Sequence, residues 1–223
     1  MPQPIRIMST LAVLGLLRET LPKSETATQV EFNPTARLLA RIGEGERADI
    51  AILTEAGIEA LTNEGVLARG TRRDLALSWI GLAVPAGAPH PPINTVEELR
   101  ATLLATPTLA YSRAGASGIF FADLIERLGI APEVNAKATI IPQGFTAEVV
   151  VRGDAALAIQ QVSELMAVEG VEIVGKLPPE ANTGAIFSAA IFAGAQPSAA
   201  AWLDWLAGAV TPDALRQHGL DPA

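Results

Sequence analysis

Short apolar runs alternate with amphipathic stretches of helical period along this chain, and that rhythm constrains the architecture more than any other feature. Strands are expected at 5–9, 29–32 and 49–53, with helices at 11–21, 35–43 and 55–67. Strands joined through helices call for right-handed crossovers, hence mostly parallel sheets with helices on both faces. A longer apolar run at 75–84 reads as one strand. It ends in Pro85-Ala86-Gly87-Ala88-Pro89-His90-Pro91-Pro92, the most proline-dense stretch of the chain and the expected domain crossing.

The alternation then begins again. Thr95 with Glu98 three residues on has the pattern of a capping box and opens a helix at 95–104. Strands follow at 108–112, 138–142 and 156–161, interleaved with helices at 117–128 and 146–152. Further strands are expected at 171–177 and 185–192, and one or two helices at 197–218, where Trp202 and Trp205 share a face and read as packing residues. A chain that leaves the first lobe near Pro85 and returns near Ile186 builds lobe I from 1–84 and 186–223 and lobe II from 85–185. The expected fold class is therefore a two-lobed α/β protein with a ligand cleft between the lobes, because open α/β sheets bind ligands beyond the carboxyl ends of their strands.

Composition bears on the partner. The 223 residues carry a formal charge of -8 and an isoelectric point near 4.8, which oppose nucleic acid and anionic membranes. No apolar run is long enough to cross a bilayer, and the alanine-rich C-terminal segment is broken by Asp204 and Pro212, so no membrane insertion is expected. Zero cysteines exclude disulfides and thiolate chemistry, and His90 and His218 are too far apart in sequence to suggest a histidine-rich metal site. No nucleotide-phosphate loop, dinucleotide fingerprint or His-Glu-x-x-His motif occurs. Gly43-Glu44-Gly45-Glu46 follows a helix and reads as its C-terminal turn. A monomer without cofactor or metal is expected. The opening Met-Pro-Gln-Pro-Ile-Arg-Ile-Met-Ser-Thr lacks the pattern of a signal peptide, which makes the chain cytoplasmic as written, and periplasmic if a signal has been removed or the start is misplaced.

Several turns carry candidate chemistry. In the segment from Ala110 to Gly129, an apolar strand runs into Ser112, Arg113, Ala114, Gly115 and Ala116, and Ser117-Gly118 opens a helix. Free N–H groups at a helix start favour an anion, small residues let it approach the backbone, and arginine grips a carboxylate or phosphate in bidentate fashion. Ser9 and Thr10 end the first strand in the same way, and Thr35 opens the helix after the second. Of Gln160 and Gln161, neighbours on a strand and so on opposite faces, Gln161 is the expected ligand contact. Ser163 and Glu164 also read as the start of the next helix.

The order of these segments carries a family resemblance. Leu38-Leu39-Ala40-Arg41-Ile42 with Ala48-Asp49-Ile50, the run into Val84-Pro85-Ala86-Gly87, the turn Ala114-Gly115-Ala116-Ser117-Gly118, Gln160-Gln161-Val162-Ser163-Glu164-Leu165 and the ending His218-Gly219-Leu220-Asp221-Pro222 together resemble the molybdate-binding-protein-like group of bacterial solute-binding proteins. The resemblance implies the type II periplasmic binding-protein fold and a small anion, carboxylate or tetrahedral oxyanion, held by Ser9, Thr10, Thr35, Ser112, Arg113, Ser117, Gly118 and Gln161. It also implies an ABC permease as partner if the protein is exported. Pro34-Thr35-Ala36 stands where the group commonly has a Ser-Gly pair. The group also includes proteins similar to aconitate isomerase, which interconverts cis- and trans-aconitate by an allylic proton shift. Such an enzyme needs a base, for which Glu164 and Tyr111 are the candidates.

Overall fold

The structure, a computed structural model, describes residues 3–223. The chain divides into two compact units, one made of the chain up to Ser78 together with Ala185–Ala223, the other of Trp79–Gly184. The first unit holds β1 (Ile5–Ser9), α1 (Leu14–Thr20), β2 (Thr28–Phe32), α2 (Thr35–Gly43), β3 (Ile50–Thr54), α3 (Glu55–Asn63) and β4 (Arg73–Ser78). The second holds β5 (Ile80–Pro85), α4 (Val96–Ala105), β6 (Leu109–Ser112), α5 (Ala116–Arg127), α6 (Ala131–Asn135), β7 (Ala138–Ile141), α7 (Thr146–Val151), β8 (Leu157–Gln161), α8 (Val162–Leu165) and β9 (Val171–Lys176). The chain then returns to the first unit with β10 (Ala185–Ile191), α9 (Ser198–Ala209), α10 (Pro212–Gln217) and β11 (Leu220–Asp221).

The apolar run at 75–84 is two strands, not one. Trp79 separates β4 from β5, and the two belong to different sheets. The division between units therefore falls at Ser78 and Trp79, ahead of the proline-rich stretch, which lies within the second unit. Hydrophobicity continues through the passage because residues on both sides are buried, and no turn residue marks the break. Helix α3 ends earlier than its apolar pattern. Gly65 adopts a φ of +75°, and the N–H groups of Val66 and Leu67 both turn back to the Leu61 carbonyl.

Each unit is built on its own mixed sheet. The first has the order β11-β4-β10-β3-β1-β2 and the second β7-β6-β8-β5-β9. The parallel pairing expected from the alternation is present where strands are joined through helices, β1 with β2 and β3, and β6 with β7 and β8. Strands β5 and β10, which follow the passages between units, pair antiparallel with their neighbours, as do β4, β9 and β11. Both faces of each sheet are covered. In the first unit Ile5, Ile7 and Ile50 pack with Trp202, Leu203 and Leu206 of α9, while Met8, Ala51 and Leu53 pack with Leu38 of α2 and Ile58 of α3. In the second, Leu109, Tyr111, Leu157 and Ile159 pack with Phe121 and Ile125 of α5, and Ala110 and Ala158 with Ala147 and Val150 of α7. Alternation along each strand thus sets which side chains at its end share a face.

Candidate functional site

In the second unit β6, β7 and β8 run parallel, so their carboxyl ends lie at one edge of the sheet, and α5, α7 and α8 start just beyond them. The turn after β6 is tight: the Ala114 N–H donates to Ser112 Oγ at 3.2 Å. Gly115 precedes α5 and offers no side-chain cap. A Cβ on Gly118 would lie 1.2 Å from the Ser112 carbonyl oxygen, so only glycine lets the first turn of the helix rest on the strand end. Ile119 is the first residue of this turn whose N–H bonds back, to the Gly115 carbonyl at 3.1 Å. The N–H groups of Ala116, Ser117 and Gly118 are left without a helical acceptor, and the Ser117 side chain is buried beside them. This geometry suits an anion.

Arg113 and Tyr111 form a separate arrangement on the α5 face. Tyr111 is fully buried, edge-on to Phe121 with ring centroids 5.1 Å apart. Its hydroxyl donates to Asn135 Oδ1 at 2.6 Å and accepts from Arg113 Nη2 at 3.0 Å and Nε at 3.2 Å. The Arg113 guanidinium lies 5.7 Å from the Tyr111 ring centroid and also reaches Asn135 Oδ1 at 3.3 Å. Arg113 has no carboxylate partner among the described residues and is exposed. Tyr111, by contrast, both donates and accepts through its hydroxyl and packs edge-on to Phe121. Asn135 belongs to α6, a short helix that the sequence pattern did not reveal.

The two glutamines at the end of β8 are both buried and behave oppositely. Gln160 Oε1 accepts from the Thr146 N–H at 2.8 Å and Thr146 Oγ1 at 3.0 Å, and its Nε2 donates to the Gly144 carbonyl at 3.1 Å. Gln161, on the other face, has a buried Oε1 with no hydrogen-bond partner. Glu164, in α8, is buried. Burial pushes its carboxyl up to about 8, against the lowering effect of hydrogen bonds from the Gln160 side chain and the Gln161 backbone N–H. Thr146 escaped the sequence reading as a site residue. Its signal was the same as that of Ser117: a hydroxyl at a helix start just after a strand and a glycine.

In the first unit β1, β2 and β3 are likewise parallel, and their carboxyl ends carry the polar turns. The Thr10 N–H donates to the Ile52 carbonyl and the Asn33 N–H to the Ser9 carbonyl, which ties the three strand ends together. Ser9 is fully buried, and its hydroxyl donates to the Thr10 carbonyl at 3.1 Å. Thr10 and Thr35, far apart in sequence, meet: Thr35 Oγ1 donates to Thr10 Oγ1 at 3.4 Å. Thr10 precedes a 3-10 turn without capping it through its side chain, and Pro34 before α2 offers no side-chain cap either. Both hydroxyls and the first N–H groups of α2 stand at this edge, whereas Ser9 is spent inward.

An apolar groove of about 590 Å³ in the second unit, lined by Val84, Pro89, Pro92, Ala101, Ala105 and Leu157 among others, lies toward the start of β8, opposite its Gln161 end, and has no charged lining residue. It is not part of this chemistry. Among the described residues no group of three or more histidines, aspartates and glutamates is placed to hold a metal ion.

Residues 22–221 match the family described as bacterial extracellular solute-binding protein. An aconitate isomerase from Pseudomonas sp is 33% identical over 235 residues, covering 99% of this chain and 89% of the relative. Among solved structures, the periplasmic molybdate-binding protein of Azotobacter vinelandii is similar with a TM-score of 0.80 at 16% identity, covering 98% of this chain and 99% of that one. A sulfate-binding protein from Mycobacterium tuberculosis has a TM-score of 0.69 at 15% identity, covering 100% and 88%. The latter two likenesses establish the type II periplasmic binding-protein fold and nothing finer.

Proposed function

We propose, because the chain belongs to the family of bacterial extracellular solute-binding proteins, that it binds a small carboxylate anion through the polar turns at the carboxyl ends of its parallel strands. The α5 start carries this reading. Gly118 seats the helix on β6 and leaves three N–H groups beside the Ser117 hydroxyl, a set of fixed donors that costs no reorganisation when an anion arrives. Ser112, Ser117, Gly118, Arg113 and, at the end of β8, Gln161 are the contacts on this unit; the first unit carries a polar turn of its own with Ser9, Thr10 and Thr35. Arg113 adds a charged, bidentate donor that suits a carboxylate and that recognition of an oxyanion by neutral donors alone does not require. A solute-binding role places the protein outside the inner membrane with an ABC permease as partner.

A thermal-shift and calorimetry screen of molybdate, tungstate, sulfate, phosphate, citrate, cis-aconitate and trans-aconitate tests this. The expected result is stabilisation by a carboxylate. No shift with any of these anions overturns the reading.

A second reading is favoured by Glu164. A buried carboxyl that titrates near neutral pH is suited to take a proton from carbon and return it, and a relative at 33% identity bears the name aconitate isomerase. On this reading the same contacts hold the substrate carboxylates and Glu164 is the base of the allylic proton shift. Incubation with either isomer in heavy water decides it: interconversion with deuterium incorporation, lost in Glu164→Gln, supports the enzyme. Tight binding with both isomers untouched leaves a receptor.

A further inference from the structure

We infer that the carboxylate held at the α5 start also carries a hydroxyl, so that the ligand class is a hydroxy acid and Gln161 is the residue that recognises the hydroxyl. The inference rests on the reading above that this turn binds a carboxylate, and it adds a second functional group to that ligand.

Two sets of unpaired groups stand at one edge of the second unit's sheet. The N–H groups of Ala116, Ser117 and Gly118 have no helical acceptor, since the first bond of the helix runs from the Ile119 N–H to the Gly115 carbonyl. Gln161 is 2% exposed, and its buried Oε1 has no donor among the described residues. Strands β6 and β8 are parallel and paired at Ala110 and Ala158, so Ser112, two residues on, and Gln161, three residues on, both lie at the carboxyl edge where α5 begins. The Gln161 side chain is on the α5 face. Leu157 and Ile159, which precede it by four and two residues, pack with Phe121 and Ile125 of that helix, and Ile80, paired directly opposite Gln161 on β5, belongs to the same core.

The two sets are complementary in sense. The helix N–H groups call for an acceptor and the glutamine oxygen calls for a donor, yet they do not pair with each other. A carboxylate alone satisfies the first set and brings only further acceptors to the second, which leaves Oε1 unpaired in the complex. A hydroxyl beside the carboxylate supplies the missing hydrogen. It does so without charge, which suits a position between β5 and β8, neither of which has an ionisable side chain. The immediate neighbours cannot take its place: Ile80 and Ile159 are apolar, and the Gln160 amide is engaged with Thr146 and Gly144 on the opposite face. A site with a buried acceptor of this kind discriminates against the analogue that lacks the hydroxyl.

The test is calorimetry on matched acids that differ by one hydroxyl: each enantiomer of malate against succinate, citrate against tricarballylate, and lactate against propionate. In at least one pair the hydroxy acid should bind about tenfold more tightly, the scale of one hydrogen bond to a buried group. In Gln161→Met, which keeps the length of the side chain without a comparable acceptor, the two members of that pair should bind alike. The variant removes an unpaired buried acceptor and is expected to fold; Gln161→Leu serves if it does not. Equal binding within every pair, or a preference that survives in the variant, overturns the inference and leaves the carboxylate reading standing. Absence of binding by every acid overturns the carboxylate reading and the inference with it, a result plainly different from equal binding.

Discussion

Glu164 makes an unusual demand on the protein. Its carboxyl titrates near 8 in the folded state and near 4.5 when exposed, so between these values the native state holds a proton that the unfolded chain releases. Stability from this group is fully present below pH 4.5 and is lost as pH rises toward 8. Glu164→Gln has no proton to lose, and at pH 8 it should therefore be more stable than the parent by roughly 2 to 4 kcal/mol, with the advantage shrinking toward pH 5. Chemical denaturation of both proteins across this range measures it; a constant difference contradicts the buried neutral carboxyl. Asp49 and Asp74, held below the ordinary carboxylate range, lose their contribution as pH falls instead, and being common to both proteins they cancel. Tyr111 gives a contrasting expectation. Tyr111→Phe removes the bond to Asn135 and should cost about 1 kcal/mol of stability, with ligand affinity and any turnover unchanged, as denaturation and calorimetry on one preparation would show. The serine-rich turn was legible because small polar residues between a strand and a helix have few other uses. Which glutamine does what was not, because Thr146 and Gly144 lie 14 and 16 residues away from Gln160 and only the pairing of β6 with both β7 and β8 brings them together.

At the scale of elements, the β6–turn–α5 unit depends on one absent atom. Gly118→Ala places a methyl group 1.2 Å from the Ser112 carbonyl oxygen, a distance no rotamer relieves since both partners are backbone or fixed to it. Helix α5 must lift off β6, disturbing the packing of Phe121 and Ile125, at a cost of about 3 kcal/mol or more. Anion affinity should fall further than in Ser117→Ala, because the N–H groups move as well as the hydroxyl. Comparing the two variants by denaturation and calorimetry tests this; Gly118→Ala with native stability contradicts it. The helix at 35–43 was read to the residue because Pro34 and Gly43 punctuate it. The capping box at Thr95 is present in shifted form: Thr95 Oγ1 accepts from the Glu98 N–H at 3.1 Å, but Glu98 returns to the Asn94 N–H at 2.8 Å. The junction of β4 and β5 was illegible for a physical reason. A strand that ends one sheet and a strand that begins another are both apolar, and Trp79 between them is neither glycine nor proline. The antiparallel members escaped likewise, since alternation of elements reports connections and not strand direction.

For the whole molecule, the charge of -8 works against the approach of any anion, so affinity must come from local donors at short range rather than from long-range attraction. Each unit has its own cores, and calorimetry is expected to resolve two heat-absorption transitions. A ligand contacted by one unit alone stabilises only that unit. An anion held at the α5 turn should raise the transition of the second unit, and Ser117→Ala should weaken its binding; Thr10→Ala tests the polar turn of the first unit in the same way. At a ligand concentration 100-fold above Kd the stabilisation is about 2.7 kcal/mol, which for a chain of this length corresponds to a rise in Tm of about 5 to 10 °C. The expected loss in Ser117→Ala is about tenfold in affinity, the scale of one hydrogen bond to a charged group. An anion that leaves the second unit's transition where it was, or whose binding ignores Ser117→Ala, removes the α5 turn from recognition.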